Sequence, residues 1–313
     1  MEPSKPDHSI TLPLVSKGEE SARLALAINV VAKYWGEDLA PKMQAPMPKV
    51  PLLIDGIELA ERHGFACYIY RGSLRDLKKR IDQGVPPIVI TPGIQDVAQH
   101  ATVVSGYDLE ERRILTYVPE PDTVGAVPEQ KFELDWEQDD MTTIVLIPAD
   151  MKELLKNDEL KFAKSNRICF EAERLRQAGK AGEATEKLYE ATEIDPENAG
   201  AWSQLAGVYN EHGAEQAVMC YEHAIKLNPK YYLAYRGLGN YYLKKKDYPL
   251  AESYYTKAIE INATRYGPIY KNRAVARMQL NNNTGAKDDL EKYLEQTPGA
   301  QDSKSIQDAI SQL

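Results

Sequence analysis

Apolar residues follow two different rhythms along this chain. Up to about residue 148 they come in short runs separated by charged turns. Glu19 to Trp35 is rich in Ala, Leu, Ile and Val and predicts an amphipathic or buried helix. "LIDGIELAERHG" predicts a second helix and "FACYIY" a strand. Ser73 stands as N-cap of a helix reaching Asp82, and "PIVIT" predicts another strand. "HATVVSGYD" and "RRILTYV" read as two strands joined by a charged turn, and "TTIVLIPA" as a last strand. Helices first and an antiparallel sheet afterwards is the order of an α+β domain. The strand pattern gives way to a charged helical one within residues 147–159.

From Ser165 the sequence repeats itself. Trp202 corresponds to Tyr235, Leu205 to Leu238, Ala206 to Gly239 and Tyr209 to Tyr242. Further along, Ala217 matches Ala251, Tyr221 matches Tyr255, and Ala224 matches Ala258. An earlier copy, from about Ser165 to Asn198, keeps Ala184, Leu188, Ala191 and Pro196 in frame. A later copy keeps Tyr270, Ala274, Ala286, Leu290 and Pro298. Pro196 and Pro229 are 33 residues apart, and Pro229 and Pro298 are 69 apart, so the period is close to 34. Small residues let two helices approach, aromatics fill the space between them, and proline ends each hairpin. The pattern resembles four tetratricopeptide repeats over residues 165–313. "SKSIQDAISQL" carries Ile306, Ala309, Ile310 and Leu313 at helical spacing and reads as a capping helix. "MKELLKNDELKFA" reads as a connecting helix over 149–164.

Length and composition narrow the chemistry. A chain of 313 residues suggests about two domains. Its 43% hydrophobic and 27% charged residues fit a folded globular protein. The net charge is −9, and residues 1–148 carry 15 basic against 23 acidic side chains. That acidic half would repel phosphates, so a nucleic-acid partner is not expected. Cys67, Cys169 and Cys220 form no paired motif, and His8, His63, His100, His212 and His223 have no metal-ligand spacing. Neither a metal nor a cofactor is expected. No apolar run reaches the ~20 residues of a membrane helix, and "MEPSKPDHSI" has no signal-peptide pattern. A cytoplasmic location is the expectation, with an exported chain trimmed of its leader as the alternative.

In arrays resembling these repeats, the first helix of each hairpin lines a concave groove and its polar residues choose the ligand. Here those residues are Arg236, Asn240 and Lys244 in the third repeat, and Lys271 and Asn272 in the fourth. Amide and cationic donors suit a protein or peptide partner with an acidic segment or a C-terminal carboxylate. The set is similar to the carboxylate clamp of chaperone-binding repeats. Ser203, Gly207 and Glu173 supply no matching donors in the first two repeats. A merely solvated face is the other reading. Cys169 and Cys220 fall at packed helix positions and read as core thiols.

Residues 10–148 resemble the double-glycine leader peptidases, the bacteriocin-processing cysteine peptidases with a papain-like fold. The matching features are "LPLVSK", Tyr34-Trp35-Gly36, "GF" followed by "RGSLRDLKKRIDQGVPPIVI", and "HATVVSGYD". The resemblance implies a Cys that opens the first helix, a Gln six residues before it, a His at the start of the "GYD" strand and an Asp before a proline. Helix N-terminus and His activate the thiol, the Asp orients the His, and the Gln binds the developing oxyanion. Counted back from Tyr34-Trp35-Gly36, the Cys position is Arg23 and the Gln position Lys17. The His position is His100, and the Asp position, before Pro119, is Val118. A guanidinium stays protonated at physiological pH and is no nucleophile, and valine cannot orient an imidazole.

A relocated set is the competing idea. Ser21 lies about 200° round the helix from Arg23, Cys67 sits in an apolar strand, and Glu120 and Asp122 lie beyond Pro119. In the first reading Arg23 fills the old cleft and pairs with Glu19 or Glu20. The expectation is therefore a degenerate papain-like α+β domain over 1–148, a connecting helix over 149–164, and an all-α repeat solenoid over 165–313. Its function would be non-catalytic protein–protein interaction, a pseudoenzyme scaffold. The alternatives are an active peptidase or hydrolase with a displaced nucleophile, and repeats that carry the whole function.

Overall fold

The computed structural model describes residues 8–13, 23–43, 52–93, 97–119 and 123–313. It falls into two compact units. One runs to Thr91 and resumes over His100–Asp195; the other joins Pro92–Gln99 to Pro196–Leu313.

In the first unit the strands are β1 (His8–Ser9), β2 (Phe65–Arg71), β3 (Ile88–Pro92), β4 (Gln99–Asp108), β5 (Arg113–Val118), β6 (Thr123–Pro128) and β7 (Thr142–Pro148). They make a seven-stranded sheet in the order β2-β7-β3-β4-β5-β6, with β1 added antiparallel against β4. The β2–β7, β3–β7, β4–β5 and β5–β6 ladders are also antiparallel. Among them run α1 (Arg23–Tyr34), α2 (Ala40–Met43), α3 (Leu53–Arg62), α4 (Leu74–Asp82) and α5 (Glu129–Glu137).

Side chains along a strand alternate between faces, and here they build two cores. Ile88, Ile90, Ala101, Val103, Ile144 and Leu146 join the buried residues of α1 and α3. Val89, Val104 and Ile114 join Leu77 and Ile81 of α4 and Phe132 and Trp136 of α5. The sheet thus has helices on both faces. The Ser73 hydroxyl accepts from the Asp76 amide at 3.1 Å and opens α4 where the sequence predicts.

Residues 149–164 differ from the expected continuous helix. They form a 3₁₀ helix, Ala149–Leu155, then turns as far as Phe162, and only the last two residues belong to an α-helix. Leu154, Leu155 and Leu160 all pack on Tyr70, Val85, Val145 and Ile147. In one α-helix Leu155 and Leu160 would point about 140° apart, so reaching a common sheet surface requires a break. Next come α6 (Ala163–Gln177) and α7 (Ala181–Ile194), a hairpin that belongs to this same unit. Arg167 holds the Glu61 carboxylate of α3 with two hydrogen bonds, 2.8 and 3.0 Å, and Arg174 reaches Glu58 at 2.6 Å.

The second unit contains the hairpins α8 (Ala199–Glu211) with α9 (Gln216–Leu227), α10 (Tyr232–Lys244) with α11 (Tyr248–Ile261), and α12 (Pro268–Gln279) with α13 (Asn283–Gln296). The last helix is α14 (Ser303–Gln312). The aligned columns of the repeat, Leu205 with Leu238 and Ala217 with Ala251, lie inside these helices. Gly239 explains the small-residue column: a Cβ there would lie 2.5 Å from ring carbons of Tyr255, which is fully buried. Gly239→Ala gains helix propensity of about 1 kcal/mol but forces that ring to move, at about 1–3 kcal/mol. The expected result is a lower urea midpoint with an unchanged slope; a raised midpoint would mean that the two helices are not held this closely.

Candidate functional site

Every first helix of a hairpin in the second unit neighbours the first helix of the next, so α8, α10 and α12 lie side by side. On α10, Arg236 and Asn240 stand one turn apart on one face. The Arg236 guanidinium lies 4.9 Å over the ring of Tyr266 and has no carboxylate partner among the described residues. Asn240 accepts at Oδ1 from the Tyr255 hydroxyl at 2.8 Å and from Asn272 Nδ2 of α12 at 3.3 Å. With its oxygen engaged twice, its amide N–H groups are the part left for a ligand. Arg236, Asn240 and Asn272 are all half-buried.

Tyr232 lies beneath this group, 0% exposed, with no hydrogen-bond partner for its hydroxyl among the described residues. Burial pushes the hydroxyl up to about 12, against the opposing pull of Arg236 and Arg265. Arg265, 1% exposed, stacks 4.5 Å over the Tyr232 ring and donates to the Ala98 carbonyl at 3.1 Å. Each of the two guanidinium groups thus lies over a tyrosine ring of its own, Arg236 over Tyr266 and Arg265 over Tyr232. On α8 the buried oxygens Gln204 Oε1 and Asn210 Oδ1 also lack partners among the described residues.

The two lysines expected to line the groove with these residues are committed elsewhere. Lys244 Nζ donates to the Asn210 carbonyl at 2.8 Å, satisfying a carbonyl near the C-terminal end of α8. Lys271 Nζ lies 2.7 Å from Asp302 Oδ2 and 5.0 Å over the Tyr293 ring. Its neighbour Asn272 faces Asn240, and adjacent residues on a helix point about 100° apart, so Lys271 cannot share that direction. Ser203 is buried on α8. Gln204 and Asn210 were not singled out from the sequence. Gln204 holds the place after Trp202 that Asn272 holds after Tyr270, and that shared place was the available signal.

For the peptidase-like positions, Arg23 is the first described residue of α1, while Lys17 falls outside the described residues, as do Glu19, Glu20, Ser21, Glu120 and Asp122. His100 is the second residue of β4, half-buried, and Val118 ends β5. The register sets Val103 opposite Tyr117. Alternation then puts His100 and Val118 on one face of neighbouring strands, while Ala101, Val103 and Tyr117 share the core of α1 on the other. Cys67 Sγ lies 3.8 Å from the Ile57 carbonyl, and burial drives its thiol far above the usual range. Burial likewise pushes Cys169 up to about 12 and Cys220 up to about 11. None of the three is a thiolate at neutral pH. Among the described residues no helix is long and apolar enough to cross a membrane.

A family model described as "Tetratricopeptide repeat" matches residues 220–253, from α9 into α11, so the chain contains a tetratricopeptide repeat. Among solved structures, the chain is similar to a thermophilic TPR protein of Thermus thermophilus, at 19% identity over 52% of this chain and 88% of that one, with a TM-score of 0.42. It is also similar to pilF of Pseudomonas aeruginosa, at 18% identity over 47% and 75% of the two chains, TM-score 0.43. A third likeness is to MamA, residues 41 to the end, of Desulfovibrio magneticus RS-1, at 17% identity over 48% and 92%, TM-score 0.41.

Proposed function

We propose that this protein is a non-catalytic interaction scaffold whose repeats grip an acidic or carboxylate-terminated peptide. The observation that carries the reading is Arg236, a half-buried cation with no acidic partner among the described residues, one turn from the donor groups of Asn240. A half-desolvated guanidinium without a counter-charge binds a carboxylate more strongly than a solvated one would. Gln204 Oε1 and Asn210 Oδ1, side-chain acceptors without donors among the described residues, suit the backbone amides of an extended segment running along α8. Anisotropy of a labelled decaglutamate peptide against its decaglutamine counterpart tests this. Saturable binding of the first, weakened by salt, and none of the second is expected; equal affinity for both would refute it.

The first unit is read as a peptidase-like domain that has lost its chemistry. What supports this is Arg23 in α1 at the place the resemblance gives the cysteine, Val118 beside the strand of His100, and three cysteines whose thiols burial holds protonated. Iodoacetamide should label the native protein slowly at every cysteine. Arg23→Cys should add one fast-reacting thiol, because a helix N-terminus stabilises thiolate. A fast, stoichiometric site in the unaltered protein would instead favour a displaced nucleophile.

A further inference from the structure

Arg236 and Lys271 hold the same place in successive repeats, each directly after the aromatic residue that opens its helix face, Tyr235 and Tyr270. Their surroundings differ in one respect. Among the described residues Arg236 has no carboxylate beside it and stacks on the Tyr266 ring, whereas Lys271 has a carboxylate from its own chain. Each oxygen of that carboxylate has its own donor: Lys271 Nζ at 2.7 Å from Asp302 Oδ2, and the Tyr293 hydroxyl at 2.7 Å from Oδ1. These groups line a cleft of about 550 Å³ with Pro268, Thr297, Pro298 and Ala300. Thr297 is 8% exposed, and its Oγ1 has no hydrogen-bond partner among the described residues. The cleft is therefore a two-donor carboxylate cradle that the chain itself occupies.

What holds Asp302 there is weak. It stands at the entry to α14, a helix with no buried residue. That helix is attached through the partly buried Ile306, Ala309, Ile310 and Leu313, packed on Ala274, Ala286 and Leu290. Segments with so little buried apolar surface open at low cost. Asp302 itself is about one-third exposed, 35%, so water and ligand already reach it.

We propose that this cleft is a second carboxylate site, filled in cis by Asp302, and that an acidic side chain of a bound peptide takes Asp302's place and loosens α14. The proposal rests on the reading that the repeats bind acidic peptides. It adds that the chain carries its own competitor at the C-terminal end of the array, so that only partners with a second acidic residue at the right distance engage both cations. In this form Asp302 sets the selectivity of the groove by excluding singly charged ligands from Lys271.

Decaglutamate anisotropy on the full chain separates the two claims. Asp302→Asn keeps the shape and removes the competing charge, and should bind about tenfold tighter, roughly the worth of one carboxylate–ammonium hydrogen bond. Adding Lys271→Met to Asp302→Asn should return the affinity to that of the unaltered protein. In the unaltered protein, saturating decaglutamate should lower amide protection over 303–312 in hydrogen exchange. Unchanged or weaker binding by Asp302→Asn, or unchanged protection of 303–312, overturns the proposal. Loss of binding in Arg236→Gln alongside an inert Asp302→Asn would leave the interaction reading standing and remove this one. Binding by Asp302→Asn but not by the unaltered protein would mean that a peptide does not displace Asp302, and would overturn this proposal as well as the interaction reading.

Discussion

Asp289→Ala is expected to lower the stability of the repeat array by about 3–5 kcal/mol, the range for breaking a buried charge network by removing one partner. Asp289 is 2% exposed and sits between two arginines. Arg273 gives it two hydrogen bonds, 2.9 and 2.6 Å, and Arg277 gives a third at 3.0 Å. Both arginines have other ties, Arg273 to Thr256 at 3.0 Å and Arg277 to Glu252 at 2.7 Å. Neither tie replaces the buried carboxylate, so alanine leaves two desolvated guanidinium groups facing one cavity. Repeat arrays couple mainly to nearest neighbours, so the loss should concentrate in α12 and α13. Urea unfolding followed by circular dichroism gives the size of the effect, and hydrogen exchange over 268–296 gives its location. A change below about 1 kcal/mol would mean that the network is solvated and contributes as surface pairs do.

Arg236→Gln should reduce affinity for decaglutamate by about thirtyfold or more while leaving the unfolding midpoint nearly unmoved. The asymmetry follows from its contacts. Among the described residues Arg236 has no acidic partner, and it stacks on the Tyr266 ring, a cation–π contact of about 0.5–1 kcal/mol. Toward a ligand it supplies a charge whose truncation typically costs about 2–5 kcal/mol. Lys244→Gln is the matched control. Its ammonium is spent on the Asn210 carbonyl, so binding should change by less than about threefold. If the two substitutions act equally, the groove attracts acidic peptides by diffuse charge and not through a defined site.

The repeat was legible because its signal is redundant. Aligned columns of Ala, Gly, Leu and aromatic residues fix the phase of each hairpin, and Gly239 against Tyr255 shows the contact those columns encode. In the first unit, Ser73 and the alternating strands were equally plain. β6 and α5 were not. β6 carries Gly125 and Pro128, and its Val124 is 72% exposed, so it has no alternation to read. In α5 the buried apolar anchors are Phe132 and Trp136, a single i, i+4 pair. The groove was legible only by column. Arg236 and Lys271 are equivalent in the repeat, and what distinguishes them is a residue 31 positions further on, Asp302, which no periodicity connects to Lys271. Lys244 misled for the same reason: its acceptor is a backbone carbonyl of the preceding repeat.

The central claim is that this protein holds an acidic peptide and leaves it whole. Incubating the full chain with a slight excess of decaglutamate, isolating the complex and weighing the released peptide by mass spectrometry tests both halves at once. The account predicts recovery of stoichiometric peptide at its intact mass. Peptide fragments that disappear when His100 is replaced, or no peptide in the complex at all, would contradict it.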